Sequence, residues 1–214
     1  MLENLMLESI LNSRANARTM TLTGQGRVTL APDIAVIRLG VELTGEDLAA
    51  IQSENAALSQ AVLDSLRQLG IEDIRTYHYS IDRTYEYEDG TPVDLGYTVR
   101  NIFEIRISDP SRAGTVIDAA VAAGANVTDL ISFELSDREY HYQQALNLAV
   151  ADAIKKAASI SGELQVDVDP VPNAITENSS IPGPAQLFGR EFAATPAVPG
   201  YVTIEAAVTA EFIY

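Results

Sequence analysis

The stretch Thr19–Leu43, TMTLTGQGRVTLAPDIAVIRLGVEL, constrains the fold of this chain more than any other. It reads as a short strand, a break at Gly24-Gln25-Gly26, then a long bent strand interrupted at Pro32. Beyond the proline, Ala35, Ile37, Leu39, Val41 and Leu43 alternate with Ile34, Val36, Arg38, Gly40 and Glu42. A period of two with one apolar face marks a strand that rests one side on a core. Pro32 has no N–H to offer a neighbouring strand, which places it at an edge or a bulge. Gly24-Gln25-Gly26 lacks the third glycine and the following helix of a phosphate cradle. It is therefore expected to be a bulge or tight turn.

The same periodicities continue downstream. Leu48, Ile51, Asn55, Leu58, Val62, Leu66 and Leu69 form one helical stripe, which predicts a helix from Gly45 to Leu69. Thr44 is its expected cap, with Asp47 three residues on, and Gly70 its stop. Ile74–Tyr87 carries Tyr77, Tyr79, Ile81, Tyr85 and Tyr87 at odd positions, so all these tyrosines are expected on one face of a strand. Asp89-Gly90 is a hairpin turn signal. The return strand aligns Leu95, Tyr97, Val99, Phe103, Ile105 and Ile107, with polar Asn101 among them. Asp109-Pro110 opens a second helix with Val116, Ile117, Ala120 and Val121 inward, ended by Gly124.

Val127, Ile131, Phe133 and Leu135 make another strand. Ser136-Asp137-Arg138-Glu139 is a capping box for a third helix burying Tyr142, Leu146, Ala149, Val150, Ala153, Ala157 and Ile160 up to Gly162. Leu164, Val166 and Val168 open a strand that fades by Glu177. Residues 178–200, with Pro182, Pro184, Pro196 and Pro199, exclude regular structure through most of their length. Val202 to Tyr214 is a last strand with every even position non-polar. The sum is an α+β fold: a mainly antiparallel or mixed sheet of long strands, with three main helices packed on one face. Residues 1–18 form an N-terminal extension to a domain of residues 19–214, in which 178–200 is a Pro-rich insertion.

Charge and composition remove several functions. A formal net charge of −16 repels phosphate backbones and anionic lipid heads, so neither nucleic acid nor an acidic membrane surface is an expected partner. No apolar run reaches the ~18 residues that a membrane span needs. With no cysteine there is no disulfide and no thiolate metal site. Residues 1–18 lack the basic start and apolar stretch of a signal peptide. As written, the chain reads as cytoplasmic; an export signal at the native start would make it periplasmic or extracellular.

Catalytic patterns are sparse. Asp137 and His141 stand four apart on a helix beside Glu139, which admits a hydrolase or metal site, but no third ligand is identifiable. There is no G-x-S-x-G elbow. No cofactor is expected. The tyrosines Tyr77, Tyr79, Tyr85 and Tyr87 form a core face with hydroxyls at its rim or a protein-binding surface, with a carbohydrate or peptide groove as a third reading. Leu187, Phe188 and Phe192, in the Pro-rich segment, are expected to bury against the domain or against a neighbour. Long strand edges at Ile34–Leu43 and Val202–Tyr214 add the expectation of a homo-oligomer.

Four pieces carry a family resemblance: G-x-G-x-V with P-D-x-A and G-V-E in the opening stretch, Gly96-Tyr97-Thr98-Val99-Arg100-Asn101, Val116–Leu135, and Pro196–Phe212. In this order, from about Met20 to Tyr214, they resemble the SIMPL-domain family of bacterial periplasmic and outer-membrane-associated proteins. The resemblance implies an α+β fold of the same kind and a loose link to the cell envelope and to oxidative-stress tolerance. The expected function is non-enzymatic: self-assembly and partner binding.

Overall fold

The alternation after Pro32 becomes a strand whose Ala35, Ile37, Leu39 and Val41 are fully buried. In the computed structural model, the described residues are 18–88, 91–178, 186–187 and 200–214. In chain order the elements are β1 (Thr19–Leu30), β2 (Ile34–Gly45), α1 (Leu48–Gln68), β3 (Ile74–Glu88), β4 (Thr91–Ile107), a 3-10 turn (Pro110–Arg112), α2 (Ala113–Ala122), β5 (Val127–Glu134), α3 (Arg138–Leu164), β6 (Ala174–Glu177), β7 (Gln186–Leu187) and β8 (Val202–Ile213). The fold is α+β with antiparallel sheets, as expected, and the strands are divided between two of them. The chain forms two compact units, one of residues 1–30, 137–183 and 203–214, the other of residues 31–136 and 184–202.

In the first unit, β8 lies between β1 and β6, and α3 packs along β1. β8 alternates as its sequence requires, burying Ile204, Ala206, Val208, Ala210 and Phe212. The expected break at Gly24-Gln25-Gly26 is absent: β1 runs through it. The glycines serve a close approach. A Cβ on Gly26 would stand 1.9 Å from the Ala145 carbonyl oxygen, and one on Gly24 2.0 Å from that of Ala149. The α3 backbone lies directly on the strand because α3 meets it with the alanine row Ala145, Ala149, Ala153 and Ala157. The inward residues are Tyr142, as expected, these alanines and Ser161, while Ile160 is exposed. The helix also continues through Leu164 and ends at left-handed Gln165, so no strand begins at Leu164. Regular pairing resumes only at β6, against β8.

In the second unit the strand order is β3-β4-β2-β5-β7, so β2, like β8 in the first unit, is a central strand paired on both sides and not the open edge expected of it. Helices α1 and α2 cover one face, and Val62, Leu66 and Val116 meet Leu39, Phe103 and Ile105 in its core. Asp47, not Thr44, caps α1, accepting from the N–H groups of Ala49 and Ala50. The Thr44 hydroxyl instead bonds Thr98 across the strands at 2.8 Å. Gly70 stops the helix with φ of 75°, as expected. Val121 is exposed, because α2 turns only Ala113, Val116 and Ala120 fully inward. Asn101 stands on the core face because α1 meets it with polar groups: its amide donates to Ser59 at 3.1 Å, and Ser59 donates to buried Asn55 at 3.2 Å.

Ser136 is not the cap of α3. Its N–H and hydroxyl both donate to the Asp33 carboxylate, at 2.7 and 2.6 Å. That contact gives the P-D pair after β1 its structural role. Asp137 takes the capping position. The Asp89-Gly90 turn lies outside the described residues.

Candidate interaction surface

Among the described residues the tyrosine-bearing strand β3 pairs with β4 alone, which leaves its outer edge unpaired. The register of β4 with β2 ends at Gly45 opposite Tyr97, while β3 stays paired with β4 out to Glu88 opposite Thr91. The end of the hairpin is therefore a two-stranded arm that outruns the rest of its sheet.

Two register shifts interrupt the β3–β4 ladder, one between Thr76 and His78 with its extra residue on β3, the other between Arg83 and Tyr85 with its extra residue on β4. The first makes Tyr77 an extra residue and breaks the alternation on which a single tyrosine face depended. The Arg38 guanidinium lies 3.8 Å from the centre of the Tyr77 ring, on the face away from the helices. Tyr79 pairs with Asn101 and accepts from Gln52 of α1 at 3.4 Å, on the helix face. The expectation of one shared face is thus corrected: Tyr77 and Tyr79 lie on opposite faces of the sheet. Tyr77, Tyr79 and Tyr85 are each 49% exposed and take no part in the core. The side chain of Tyr87 lies outside the described residues, as do that of Leu187 and the whole of Phe188 and Phe192. The Leu187 backbone pairs with Ile131 in β5.

The helix-free face of the same sheet carries rows of charge that the sequence patterns did not reveal. Glu104 is only 2% exposed and accepts from two arginines. Arg38 donates through Nε at 2.8 Å, with a terminal nitrogen also at 2.8 Å. Arg75 donates from the other side through Nε at 3.0 Å and through a second nitrogen. Burial pushes the Glu104 carboxyl up, but the hydrogen bonds and charges of Arg38 and Arg75 outweigh it and hold it below the usual carboxylate range. Further along β4, Arg100 bridges Glu42 at 3.0 Å and Asp129. A groove of about 520 Å³ runs beside this row, lined among others by Tyr77, His78, Ser80, Asp82 and Arg100. The signal was the run of charges at even positions of β4. Their partners sit on three other strands, so no single-strand pattern could assign them.

The Asp137, Glu139 and His141 group does not form a converged site. The Asp137 carboxylate accepts the Tyr140 N–H at 3.0 Å as a helix cap, Glu139 is exposed, and His141 Nδ1 is 3.4 Å from the Gln144 side-chain oxygen. Among the described residues no group of three or more His, Asp or Glu is placed to hold a metal ion.

A family model described as SIMPL, protein of unknown function (DUF541), matches residues 20–212. The 26 kDa periplasmic immunogenic protein of Brucella melitensis biotype 1 is 27% identical over 180 residues, which is 81% of this chain and 72% of that protein. The uncharacterized protein YggE of Escherichia coli K12 is 22% identical over 151 residues, 70% of this chain and 61% of that protein. The similarity to a protein named as periplasmic overturns the cytoplasmic expectation, which rested on the composition of residues 1–18 alone. With a match that runs from β1 into β8, the chain belongs to the SIMPL family, whose function is undefined.

Proposed function

We propose that this chain is a periplasmic, non-enzymatic protein that works by self-assembly and partner binding. The observation that carries the reading is the β3–β4 hairpin. Among the described residues it presents a long unpaired edge, half-exposed Tyr77, Tyr79 and Tyr85, and an arm that pairs with no third strand. Tyrosines are enriched where proteins meet, because they add large contact area at small entropic cost. Solvent-exposed Ile81, Val93 and Leu95 extend the apolar character of the same hairpin. The setting is the cell envelope, where the family resemblance also implies a part in oxidative-stress tolerance.

The test is the solution mass by size-exclusion chromatography with light scattering over a range of concentrations. A mass that is a multiple of the 23.0 kDa chain supports the proposal. A mass of 23.0 kDa at every concentration, for a folded sample, refutes self-assembly.

A further inference from the structure

Sheet edges expose unpaired N–H and C=O groups, and proteins normally guard them. The first unit does so at both ends of its sheet. Along β1, the Asp152 carboxylate accepts the Gln25 N–H at 2.9 Å, and the Lys156 ammonium donates to the Thr23 carbonyl at 2.8 Å. These two side chains stand one helical turn apart on α3 and bond each other at 2.7 Å. At the other end, β6 spans only Ala174–Glu177. In the second unit, β7 pairs with Ile131 and Ser132 of the short strand β5. Strand β3 differs from all of these. It is long, among the described residues it pairs on one side only, and its residues between the two register shifts, His78–Arg83, pair with β4 without interruption.

We infer that two copies of this chain join edge to edge through β3, antiparallel and centred on Ile81, making one sheet continuous across both. This rests on the self-assembly reading and names its interface. The argument is self-complementarity. Directly opposite residues of an antiparallel pair lie on the same face of the sheet. With Ile81 on the two-fold axis, Ile81 meets its own copy, Tyr79 meets Arg83, and Ser80 meets Asp82. Each unlike pair occurs twice.

On the helix face, an arginine comes beside a tyrosine ring. Arg83 already behaves this way within its own chain, where its guanidinium lies 5.2 Å from the Tyr97 ring. On the opposite face, a serine hydroxyl reaches a carboxylate. On the axis, two side chains that are each 38% exposed cover one another. A centre one residue later would bring Asp82 against its own charge, and a centre between residues would oppose helix-side to helix-free positions. A centre on Ser80 would set Arg83 opposite bulged Tyr77, which is on the wrong face to receive it. The Tyr77 bulge of each copy falls opposite Tyr85 of the other, so it ends the ladder at both ends and holds its register.

The test uses the absence of cysteine from the chain, which makes any introduced thiol the only one. Opposite Cβ atoms across an antiparallel pair are about 4.5–5.5 Å apart, close enough for a disulfide after a small shift. Ile81→Cys, oxidised mildly in the full-length protein, is expected to run as a covalent dimer on a non-reducing gel. Ser80→Cys and Ile175→Cys, the latter exposed on β6, are expected to stay monomeric on the same gel. Ile81→Lys, which sets two ammonium groups on the axis, is expected to lose the dimer in light scattering while keeping its circular dichroism. If the unmodified chain assembles but Ile81→Cys does not cross-link, this interface is wrong and self-assembly stands. Cross-linking of Ser80→Cys in place of Ile81→Cys overturns the register. A monomeric chain with no cross-link overturns both readings.

Discussion

Gly26→Ala adds one methyl group where the structure has no room for it. The new Cβ would stand 1.9 Å from the Ala145 carbonyl oxygen and 2.6 Å from the Ala149 nitrogen. Ordinary van der Waals contact begins near 3.4 Å, so α3 and β1 must separate by about 1.5 Å. The clashing atoms are helix backbone, which cannot rotate aside as a side chain can. Separation would loosen the buried alanine row Ala145, Ala149, Ala153 and Ala157 from the strand. Overpacking of this kind costs about 1–3 kcal/mol, and the rigid backbone contact places Gly26 at the upper end. A loss of about 3 kcal/mol is more than a hundredfold in the folding equilibrium.

The matched control is Gly114→Ala in α2, where a Cβ meets nothing within 4 Å. Gly114 stands in the first turn of α2, so that change is expected to stabilise by no more than the ~0.5–1 kcal/mol of a helix interior. Urea unfolding followed by circular dichroism measures both. A Gly26→Ala midpoint equal to that of the unmodified chain, or displaced no further than that of Gly114→Ala, would refute the close-approach argument.

Phe103→Ala, at a core position only 3% exposed, is expected to cost about 3–5 kcal/mol, read from the shift of the urea midpoint. Glu104→Gln leaves Arg38 and Arg75 facing a neutral amide, and about 3 kcal/mol is expected to go, the low end for a broken buried pair because Arg75 is largely exposed. The same carboxylate sets a pH dependence. Its folded pKa is lowered, so its contribution is complete above the unfolded value of about 4.3 and is lost as pH falls through the lower folded value. Acid unfolding curves of the unmodified chain and Glu104→Gln should therefore converge at low pH; parallel curves down to that range would dismiss the account. Asp152→Asn combined with Lys156→Ala frees the β1 edge, and faster aggregation on mild heating, read by light scattering, is expected. Unchanged aggregation would show that the pair does not guard the edge.

Periodicity alone determined where most strands and helices lie. The alternation of Ala35 to Val41 and of Ile204 to Phe212 depends only on local chain geometry, and both runs are strands buried on the stated face. The stripe from Ile51 to Leu66 and the stop at Gly70 were legible for the same reason. The motif order that identifies the family was also in the chain.

What the sequence could not decide were contacts between elements distant along it. Gly24-Gln25-Gly26 has the composition of a turn, and only the alanine face of α3 makes it a flat stretch of strand. The Glu104 clamp draws arginines from β2 and β3 onto β4, and such partners depend on register. The candidate surface was half visible. The tyrosines on β3 were plain, but one bulge at Tyr77 inverted the face of every residue before it relative to those after. A period of two carries no memory of an inserted residue, so the side on which each tyrosine stands was settled by how β3 pairs with β4.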